Sequence, residues 1–335
     1  MKIGVLGAGT WGMALARMLA NDSYDVTVWS AIEDEIDELD RNRVHKNLPG
    51  MIVPDSIVFT KDIEEVCKDR KILSFAVPSV YVRSTTEKAR DYIPDGQVIV
   101  DVAKGIEAAT LFTMSQVIED ALNDGKHNNV KVVALSGPTH AEEVAKDLPT
   151  TIVSASRDEE SAKLVQDIFM NTCMRVYTND DVLGVELCGA LKNIMALAAG
   201  ISAGLGYGDN AKAAIITRGM VEMTRLGLAM GAKQETFAGL AGVGDLIVTA
   251  TSMHSRNNRC GMLIGQGVKP DEAVKQVGMV VEGINALPAA MKLMDKYKVE
   301  MPITMMVNAV ANEKIDPSSA VSALMSRDKK NEMNF

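Results

Sequence analysis

The segment Gly7-Ala8-Gly9-Thr10-Trp11-Gly12 constrains the fold of this chain more than any other, because it follows a short apolar run and precedes a helical pattern. In the order strand, glycine loop, helix, the first glycine permits a tight turn and the second lets phosphates approach the backbone. The third lets the helix pack closely on the strand, and the helix N-terminus offers N–H groups and a positive dipole end to the phosphates. The chain is therefore predicted to begin with a dinucleotide-binding βαβ unit.

Strand and helix patterns alternate through the first half of the chain and then stop alternating. Such alternation is typical of a largely parallel sheet with helices on both faces. From Val182 onward the chain consists of long helical runs broken by Gly or Pro. We therefore expect an α/β fold, with a Rossmann-like dinucleotide-binding domain over 1–180 followed by an all-helical substrate-binding and catalytic domain over 181–335. The predicted strands are Lys2–Leu6, Asp25–Trp29, Lys71–Ala76, Gln97–Val102, Lys131–Leu135, Thr150–Ala155 and Met174–Tyr177.

Charge and cysteine content limit the classes of function. The chain has 35 Lys and Arg against 44 Asp and Glu, a net charge of −9, which argues against a non-specific binder of nucleic acid or of an anionic membrane. Its four cysteines show no C-x-x-C pair or zinc-ligand spacing, so a reducing, cytoplasmic setting is predicted. The histidines are scattered along the chain, and no metal site is predicted.

One apolar, glycine-rich stretch over 187–208 invites comparison with a membrane helix, because Gly200, Gly204 and Gly208 are spaced by four residues. Its only charge, Lys192, leaves an uncharged run of 16 residues, whereas a membrane span needs roughly 20. The stretch is therefore predicted to be a buried helix of a soluble domain, and the chain is not expected to be an integral membrane protein. An apolar helical second domain also favours a homodimer.

The end of the second predicted strand should show which nicotinamide dinucleotide is bound. An acidic residue there suits NAD and an arginine suits NADP, but the chain has Ser30-Ala31, which is neither. Glu33 and Asp34 follow closely and are the acids expected in the first turn of a helix. Arg41 and Arg43 could reach a 2′-phosphate or could be helix-end charges. Both NAD and NADP remain open as the cofactor.

In an open α/β sheet, ligands bind beyond the carboxyl ends of the strands. Val77-Pro78-Ser79, Lys104-Gly105 and Ser136-Gly137-Pro138-Thr139 each follow a predicted strand. Lys104 stands out, because it is a cation at such an edge, next to a glycine that leaves room for a ligand. Loops at this edge carry function, so Lys104 is a candidate ligand-binding residue. The alternative is a solvated loop lysine.

Lys192 is the only charge in 22 residues of apolar helical pattern. Lysine is rarely buried without a partner or a purpose. Burial lowers the pKa of an ammonium group and makes it a possible general base, which hydride transfer from an alcohol requires. Lys192 is therefore a candidate catalytic base, and the alternative is a lysine whose head reaches the surface at a domain interface.

A second group of polar residues begins at Gly242-Val243-Gly244-Asp245-Leu246 and continues at Ser255-Arg256-Asn257. Asp245 lies between glycine and apolar residues, so it is a candidate for orienting a catalytic ammonium. Arg256 with Asn257 can fork a phosphate through charge-assisted hydrogen bonds. Taken singly, such residues are usually helix caps and surface charges, so this interpretation depends on their grouping.

Together these segments resemble the bacterial type of NAD(P)-dependent glycerol-3-phosphate dehydrogenase, from Lys2 to about residue 325. The most specific stretch begins at Gly189-Ala190-Leu191-Lys192-Asn193-Ile194-Met195-Ala196 and runs to Arg218-Gly219. It is followed by the blocks at 241–246, 255–257 and 280–283, and four blocks in this order are hard to obtain by chance. The resemblance implies a C-terminal domain like that of 6-phosphogluconate dehydrogenase.

The resemblance also implies a reaction: reversible hydride transfer between NAD(P)H and dihydroxyacetone phosphate, giving sn-glycerol 3-phosphate for phospholipid synthesis. It implies that Lys192 is the general acid/base, with Lys104 and Asp245 as further catalytic residues. The cofactor contacts that it implies are Gly7, Gly9, Thr10, Trp11, Gly12, Lys104, Ala141, Arg256, Val280 and Glu282. The implied substrate contacts are Lys104, Gly137, Thr139, Lys192, Asp245, Ser255, Arg256 and Asn257.

The chain departs from the family pattern at two places. Ser30-Ala31-Ile32 lacks the basic residues that the family often carries after its second strand, and Asn47 replaces the tyrosine that commonly precedes Leu48-Pro49-Gly50. No cofactor contact is therefore assigned to Asn47. Two alternatives stay open: a related two-domain dehydrogenase acting on a β-hydroxyacid or a sugar-acid phosphate, and a dinucleotide sensor without turnover.

Overall fold

The computed structural model describes residues 1–170 and 173–332; the two residues between these ranges, and the last three of the predicted second domain, lie outside the described residues. The chain divides into two compact units. The first contains Met1–Lys104 and Phe112–Val182, and the second contains Gly105–Leu111 and the chain from Leu183 onward. The segment Gly105–Leu111, which the sequence places within the first domain, thus groups with the helical unit.

The first unit is built on an eight-stranded sheet in the order β3-β2-β1-β4-β5-β6-β7-β8, parallel except where β6 and β7 pair antiparallel. The strand order reverses between β1 and β4, which is where a doubly wound sheet opens a crevice for ligands. The predicted α/β fold with a largely parallel Rossmann-like sheet is confirmed. The strands are β1 (Lys2–Leu6), β2 (Asp25–Trp29), β3 (Val58–Thr60), β4 (Ile72–Phe75), β5 (Val98–Asp101), β6 (Lys131–Ser136), β7 (Thr150–Ala155) and β8 (Met174–Asn179).

Both faces of this sheet are covered by helices. Side chains alternate along a strand, so Ile3 and Val5 of β1 enter one apolar cluster while Leu6 enters the other. A side chain on Gly4 would overlap the Val66 carbonyl, which shows how closely α3 packs against β1. The helices of this unit are α1 (Thr10–Asn21), α2 (Glu33–Asn42), α3 (Ile63–Cys67), α4 (Val82–Ala89), α5 (Met114–Ala121), α6 (Ala141–Val144) and α7 (Glu159–Phe169).

The sequence did not predict β3, which has only three residues and pairs with β2 alone at the edge of the sheet. Three residues are too few to establish an alternating pattern, and only the neighbouring strand fixes their extended form. The other seven strands lie where they were predicted: three match at both ends, and the ends of the other four differ by one or two residues.

The second unit is helical. Its longest helix, α8 (Val182–Gly204), is apolar enough to span a membrane, but 94% of its most apolar 18-residue window is buried within the protein. The predicted buried helix is therefore present. The remaining helices are α9 (Asp209–Met230), α10 (Gln234–Phe237), α11 (Asp245–Thr251), α12 (Arg256–Gly265), α13 (Pro270–Val277), α14 (Glu282–Tyr297), α15 (Pro302–Ala311) and α16 (Pro317–Met325).

The spaced glycines of α8 have a packing role. Side chains on Gly200 and Gly204 would overlap backbone carbonyls of α12, and side chains on Gly261 and Gly265 of α12 would overlap carbonyls of α8. The two helices therefore touch backbone to backbone, as small residues at four-residue spacing permit. This close approach sets the start of α12 against the middle of α8.

Candidate active site

The glycine loop joins β1 to α1 in the first unit. Gly7 has a φ of 121°, which favours glycine, and its N–H donates to the Trp29 carbonyl at 2.8 Å. An added Cβ would lie 2.7 Å from the Ala76 carbonyl carbon and oxygen. Gly12 is equally restricted, because its added Cβ would overlap the Gly7 carbonyl oxygen. These two glycines allow strand and helix to approach.

Gly9 differs from both, because its added Cβ would meet no heavy atom within 4 Å. It is the N-cap of α1, it is exposed, and the first turn of the helix carries no acidic residue. Glycine is therefore not required there by the protein's own packing. The open space over the positive end of a helix fits a pyrophosphate that approaches the backbone, so the loop fits a dinucleotide.

Two of the other predicted cofactor contacts of the first unit, Thr10 and Trp11, belong to this loop, and a third, Ala141, lies on α6, which packs against α1. Thr10 begins α1, and its hydroxyl oxygen is 3.5 Å from the side-chain nitrogen of Asn47. Trp11 packs against the apolar core of the unit. Ala141 begins α6. The segment after α6 is joined to α1, because Arg17 and Asp147 form paired hydrogen bonds of 2.8 Å. This pairing raises the pKa of Arg17 and lowers that of Asp147.

Three of the predicted substrate contacts are brought together at the carboxyl ends of β5 and β6. The Lys104 ammonium donates to the Gly137 carbonyl at 3.1 Å, and the Thr139 hydroxyl donates to the same oxygen at 3.1 Å. Lys104 is half-buried. The first unit therefore presents a positioned cation and a hydroxyl at the edge of the sheet where ligands bind.

Lys192 of α8 is buried in the second unit, with 5% of its surface exposed, and its ammonium forms an ion pair with Asp245, which is fully buried. The same nitrogen donates to the Thr249 hydroxyl at 2.6 Å, and that hydroxyl donates to the Asp245 backbone carbonyl at 2.6 Å. A buried charge is costly unless it is paired and hydrogen-bonded, and both conditions are met here. The ammonium is thus held in one orientation by two acceptors on α11.

A wide turn presents Asp245. Leu240–Gly244 form a π-helical turn that leads directly into α11, and Asp245 is the first residue of that helix. Gly242 is required within the turn, because an added Cβ would overlap the Phe237 carbonyl oxygen. Single π-helical turns occur often at functional sites.

An amide chain connects α8 to two other helices. The Asn257 side-chain nitrogen donates to the Asn193 side-chain oxygen at 2.9 Å, and the Asn257 side-chain oxygen accepts from the Gly283 N–H at 2.8 Å. A Cβ on Gly283 would lie 2.6 Å from the Asn193 carbonyl oxygen. The residue next to Lys192 is therefore fixed to the starts of α12 and α14.

The remaining predicted site residues of the second unit lie at those two helix starts. Ser255 is the N-cap of α12, and its side chain accepts from the Asn258 N–H at 3.2 Å. Arg256 is the first residue of α12 and is half-buried. Val280 precedes α14, and Glu282 is its first residue. Ser255 thus serves as the helix cap that the alternative interpretation offered, and the positive end of α12 lies at Ser255–Asn257.

Sequence reasoning missed Thr249, and it did not single out Asn193 or Gly283 for a role of their own. Thr249 lies four residues after Asp245 and so shares its helix face, which was a usable signal. Asn193 is a polar neighbour of Lys192 in an apolar helix and gave a similar signal. The contact at Gly283 depends on three helices and has no local signature.

Two of the four cysteines, Cys67 and Cys260, do not have the properties of catalytic nucleophiles. All four lie in the described residues, and none forms a disulfide. Burial raises the pKa of the Cys67 thiol to about 12 and that of Cys260 to about 11, whereas a reactive cysteine has a lowered pKa. Within residues 1–170 and 173–332, no group of three or more His, Cys, Asp or Glu side chains is placed to hold a metal ion.

A glycine loop at the reversal point of a Rossmann-like sheet and a helical unit with a paired, buried lysine are the features of a dinucleotide-dependent dehydrogenase. Comparison with known proteins narrows this class. Residues 2–162 match the profile of the NAD-dependent glycerol-3-phosphate dehydrogenase N-terminus, and residues 181–322 match that of its C-terminus. The chain therefore belongs to the NAD-dependent glycerol-3-phosphate dehydrogenase family, as the resemblance predicted.

Individual relatives agree over the full length. The chain is 67% identical to glycerol-3-phosphate dehydrogenase [NAD(P)+] 2 of Lactobacillus delbrueckii subsp. bulgaricus, over 99% of each chain. It is 53% identical to glycerol-3-phosphate dehydrogenase [NAD(P)+] of Agathobacter rectalis, over 98% of this chain and 97% of the relative. The crystal structure of glycerol-3-phosphate dehydrogenase from Coxiella burnetii superposes with a TM-score of 0.92 at 37% identity, covering 97% of this chain and 99% of that one.

Proposed function

We propose that this chain catalyses reversible hydride transfer between NAD(P)H and carbon 2 of dihydroxyacetone phosphate, giving sn-glycerol 3-phosphate. The family and the names of its relatives support the reaction. The observation that carries the chemistry is the buried ammonium of Lys192. This lysine lies in the apolar helix α8, and its ammonium is held by Asp245 and Thr249 of α11. Reduction of a carbonyl to an alcohol needs a proton donor, and the reverse reaction needs a proton acceptor at the same position.

In the reductive direction, Lys192 donates a proton from Nζ to the alkoxide oxygen that forms on carbon 2 and becomes a neutral amine. In the oxidative direction, the neutral amine accepts the hydroxyl proton. The bound nicotinamide supplies or accepts the hydride. Asp245 pairs with the ammonium and fixes the direction of Nζ, and Thr249 provides the second acceptor.

The substrate phosphate needs a positive site away from the reacting carbon. We assign this role to the start of α12, where Ser255, Arg256 and Asn257 combine a helix N-terminus with a guanidinium. The Asn257 side chain is engaged with Asn193 and Gly283, so we assign its contact to the backbone N–H. Holding a remote phosphate contributes to the orientation of the reacting carbon.

The first unit is assigned the cofactor. Gly7, Gly9, Thr10, Trp11 and Gly12 would hold the pyrophosphate part. Further cofactor contacts are proposed at Lys104 and Ala141, and in the second unit at Arg256, Val280 and Glu282. Lys104, Gly137 and Thr139 are proposed as substrate contacts at the edge of the sheet.

We propose two domains, 1–180 and 181–335, working in the cytoplasm as a homodimer that supplies a phospholipid precursor. The family assignment supports the metabolic role, and the lack of a C-x-x-C pair among the four cysteines suits a reducing compartment. Light scattering of the purified chain tests the dimer, since a mass near that of one chain would contradict it.

The test of the reaction is oxidation of NADH and NADPH, followed separately, on addition of dihydroxyacetone phosphate. We expect turnover with this substrate. In the reverse direction, kcat/KM for β-hydroxyacids or sugar-acid phosphates should be at least about a hundredfold lower than for sn-glycerol 3-phosphate. Preference for one of those acids would overturn the substrate assignment. Cofactor binding without any turnover would instead support the dinucleotide sensor.

A further inference from the structure

A carboxylate is fixed at the carboxyl end of β2. Ser30 directly follows this strand and is buried, and its hydroxyl donates to a Glu35 carboxylate oxygen at 2.8 Å. The same hydroxyl accepts from the Ile32 N–H at 3.2 Å. Acids in the first turn of a helix usually point into solvent, but Glu35 of α2 is only partly exposed and is bound back to the strand end.

This carboxylate lies next to the glycine loop. The last residue of β2, Trp29, accepts from the Gly7 N–H at 2.8 Å. The buried His45 imidazole lies beside both Glu35 and the glycine loop. Burial lowers its pKa, whereas the charge of Glu35 and a hydrogen bond to the Ala8 carbonyl raise it. Glu35 and the loop carbonyl therefore both lie within reach of one imidazole.

Negative charge surrounds the end of β2. Helix α2 contains Glu33, Asp34, Glu35, Asp37, Glu38 and Asp40. The nearby cation Lys61 is paired with Asp37 at 2.8 Å and with Glu33 at 3.7 Å.

Arg43, which the sequence offered as a phosphate contact, is used within the fold. Its guanidinium donates to Asp40 at 2.7 Å and to the Ile57 carbonyl at 2.8 Å, and it lies over the ring of Phe59. Arg41 and Lys46 are the other cations between residues 30 and 47, and both are exposed.

We propose that Glu35, held by Ser30, makes this chain selective for NAD(H) over NADP(H). In doubly wound folds the end of β2 faces the adenosine ribose, where a carboxylate accepts a hydrogen bond from the 2′-hydroxyl. A 2′-phosphate carries about two negative charges at neutral pH and would meet the Glu35 carboxylate and the acidic first turn of α2. In other Rossmann folds an acidic residue directly after the second strand binds the ribose 2′-hydroxyl, and here Glu35 takes that role. This proposal rests on the proposed function for the identity of the cofactor.

The test is a direct measurement of Kd for NADH and NADPH by isothermal titration calorimetry on the full chain. For the wild-type protein we expect NADPH to bind about tenfold more weakly than NADH, with a smaller ratio at high salt. Glu35→Gln should reduce the ratio to about threefold, mainly by tighter NADPH binding. Ser30→Ala, which releases the carboxylate, should reduce it as well.

Glu160→Gln is the matched control, because Glu160 is also a first-turn glutamate, in α7, but is exposed, and its removal should leave the ratio unchanged. Equal Kd values for the two cofactors in the wild-type protein, or the same ratio in Glu35→Gln as in the control, would overturn the proposal. Selective NADH binding without reduction of dihydroxyacetone phosphate would leave it standing and overturn the proposed reaction. Turnover with no difference in Kd would do the reverse.

Discussion

The glycine loop of the first unit and the lysine site of the second work by different physical means. The loop acts through its backbone: Gly7 and Gly12 have no room for a side chain, and Gly9 leaves open space over the start of α1. The lysine site acts through side chains, because Lys192, Asp245 and Thr249 meet from two helices and bury a charge pair. The first arrangement is local in sequence, and the second brings together residues more than fifty positions apart.

This difference has a consequence for substitutions. A backbone site is damaged by adding atoms, and at Gly9 they can be added without changing the protein's own packing. A buried charge pair is damaged by removing atoms, and the partner that remains is left uncompensated. We therefore expect a substitution at Gly9 to weaken cofactor binding with little loss of stability. A substitution at Lys192 should reduce stability with little change in cofactor binding.

The largest effect is expected for Lys192→Met, which removes the proposed acid/base. We expect kcat to fall about a thousandfold while Kd for NADH changes little. Because Asp245 is then buried without its ammonium, unfolding free energy should fall by about 3 kcal/mol. Steady-state kinetics, cofactor titration and urea unfolding measure the three quantities.

Combining Lys192→Met with Asp245→Asn should restore most of the stability and none of the activity, because the double change removes both charges. Lys212→Met is the control, since Lys212 pairs with exposed Asp209 at 3.4 Å on α9. Wild-type turnover in Lys192→Met would contradict the assignment of the base, and full stability in that single variant would contradict the importance of the pair.

Gly9→Ala should weaken cofactor binding with little loss of stability. Its methyl group would meet no protein atom within 4 Å, so stability should change by less than about 1 kcal/mol, but it would occupy the space assigned to the pyrophosphate. We expect Kd for NADH to rise about tenfold, with little change in kcat at saturating cofactor. Calorimetry measures the affinity, and thermal unfolding measures the stability.

Gly208→Ala is the matched control for that experiment. Gly208 is also a helix N-cap, at the start of α9, and its added Cβ likewise meets nothing within 4 Å. Its variant should show the same small change in stability and wild-type cofactor affinity. If Gly9→Ala binds NADH as tightly as Gly208→Ala does, the loop does not hold the pyrophosphate over Gly9.

The same contrast explains how much the sequence could predict. The glycine loop, seven strands and the helical second unit follow from local patterns, because turn chemistry and hydrophobic period act over a few residues. Lys192 was found because a lone charge in an apolar helix conflicts with burial. The pairing of Lys192 with Asp245 was suggested by the grouping of motifs, and α11 had no separate helical signal.

What could not be predicted depends on neighbours distant in the chain. The strand β3 is extended because β2 pairs with it. Gly200 and Gly204 resemble a membrane pairing motif until the carbonyls of α12 are placed against them. Asn257 looks like a phosphate ligand from its position beside Arg256, whereas its amide group is used to join Asn193 to Gly283.

Thr249→Val is expected to have a smaller effect than the first two changes. The variant keeps the volume and removes the hydroxyl that accepts from Lys192 at 2.6 Å. We expect kcat to fall about fivefold with KM nearly unchanged, and stability to fall by about 1 kcal/mol. Thr249→Ser should recover both, because it restores the hydroxyl. A change confined to KM would show that Thr249 contacts the substrate instead of orienting the lysine.

The smallest effect is expected for His45, the side chain that hydrogen-bonds to the Ala8 carbonyl of the glycine loop. Burial holds the pKa of His45 below its usual 6.5, so the folded protein favours the neutral ring. Its Nδ1 lies 3.2 Å from the Asn47 N–H and accepts from it, which leaves Nε2–H to donate to the Ala8 carbonyl. Protonation would place a second N–H against Asn47. The stabilisation is therefore present above pH 6.5 and is lost as the pH falls below it.

We expect Kd for NADH to rise about twofold between about pH 7.5 and 5.5 in the wild-type protein and to stay level in His45→Gln, whose amide donates without titrating. The charged groups facing the ring are Glu35, which raises the pKa of His45, and Lys46, which lowers it. The control is His127→Gln, which removes a ring that pairs with Asp124. This variant should retain the wild-type pH dependence. If all three proteins respond to pH alike, the loop is held by its backbone alone and His45 is only a packing residue.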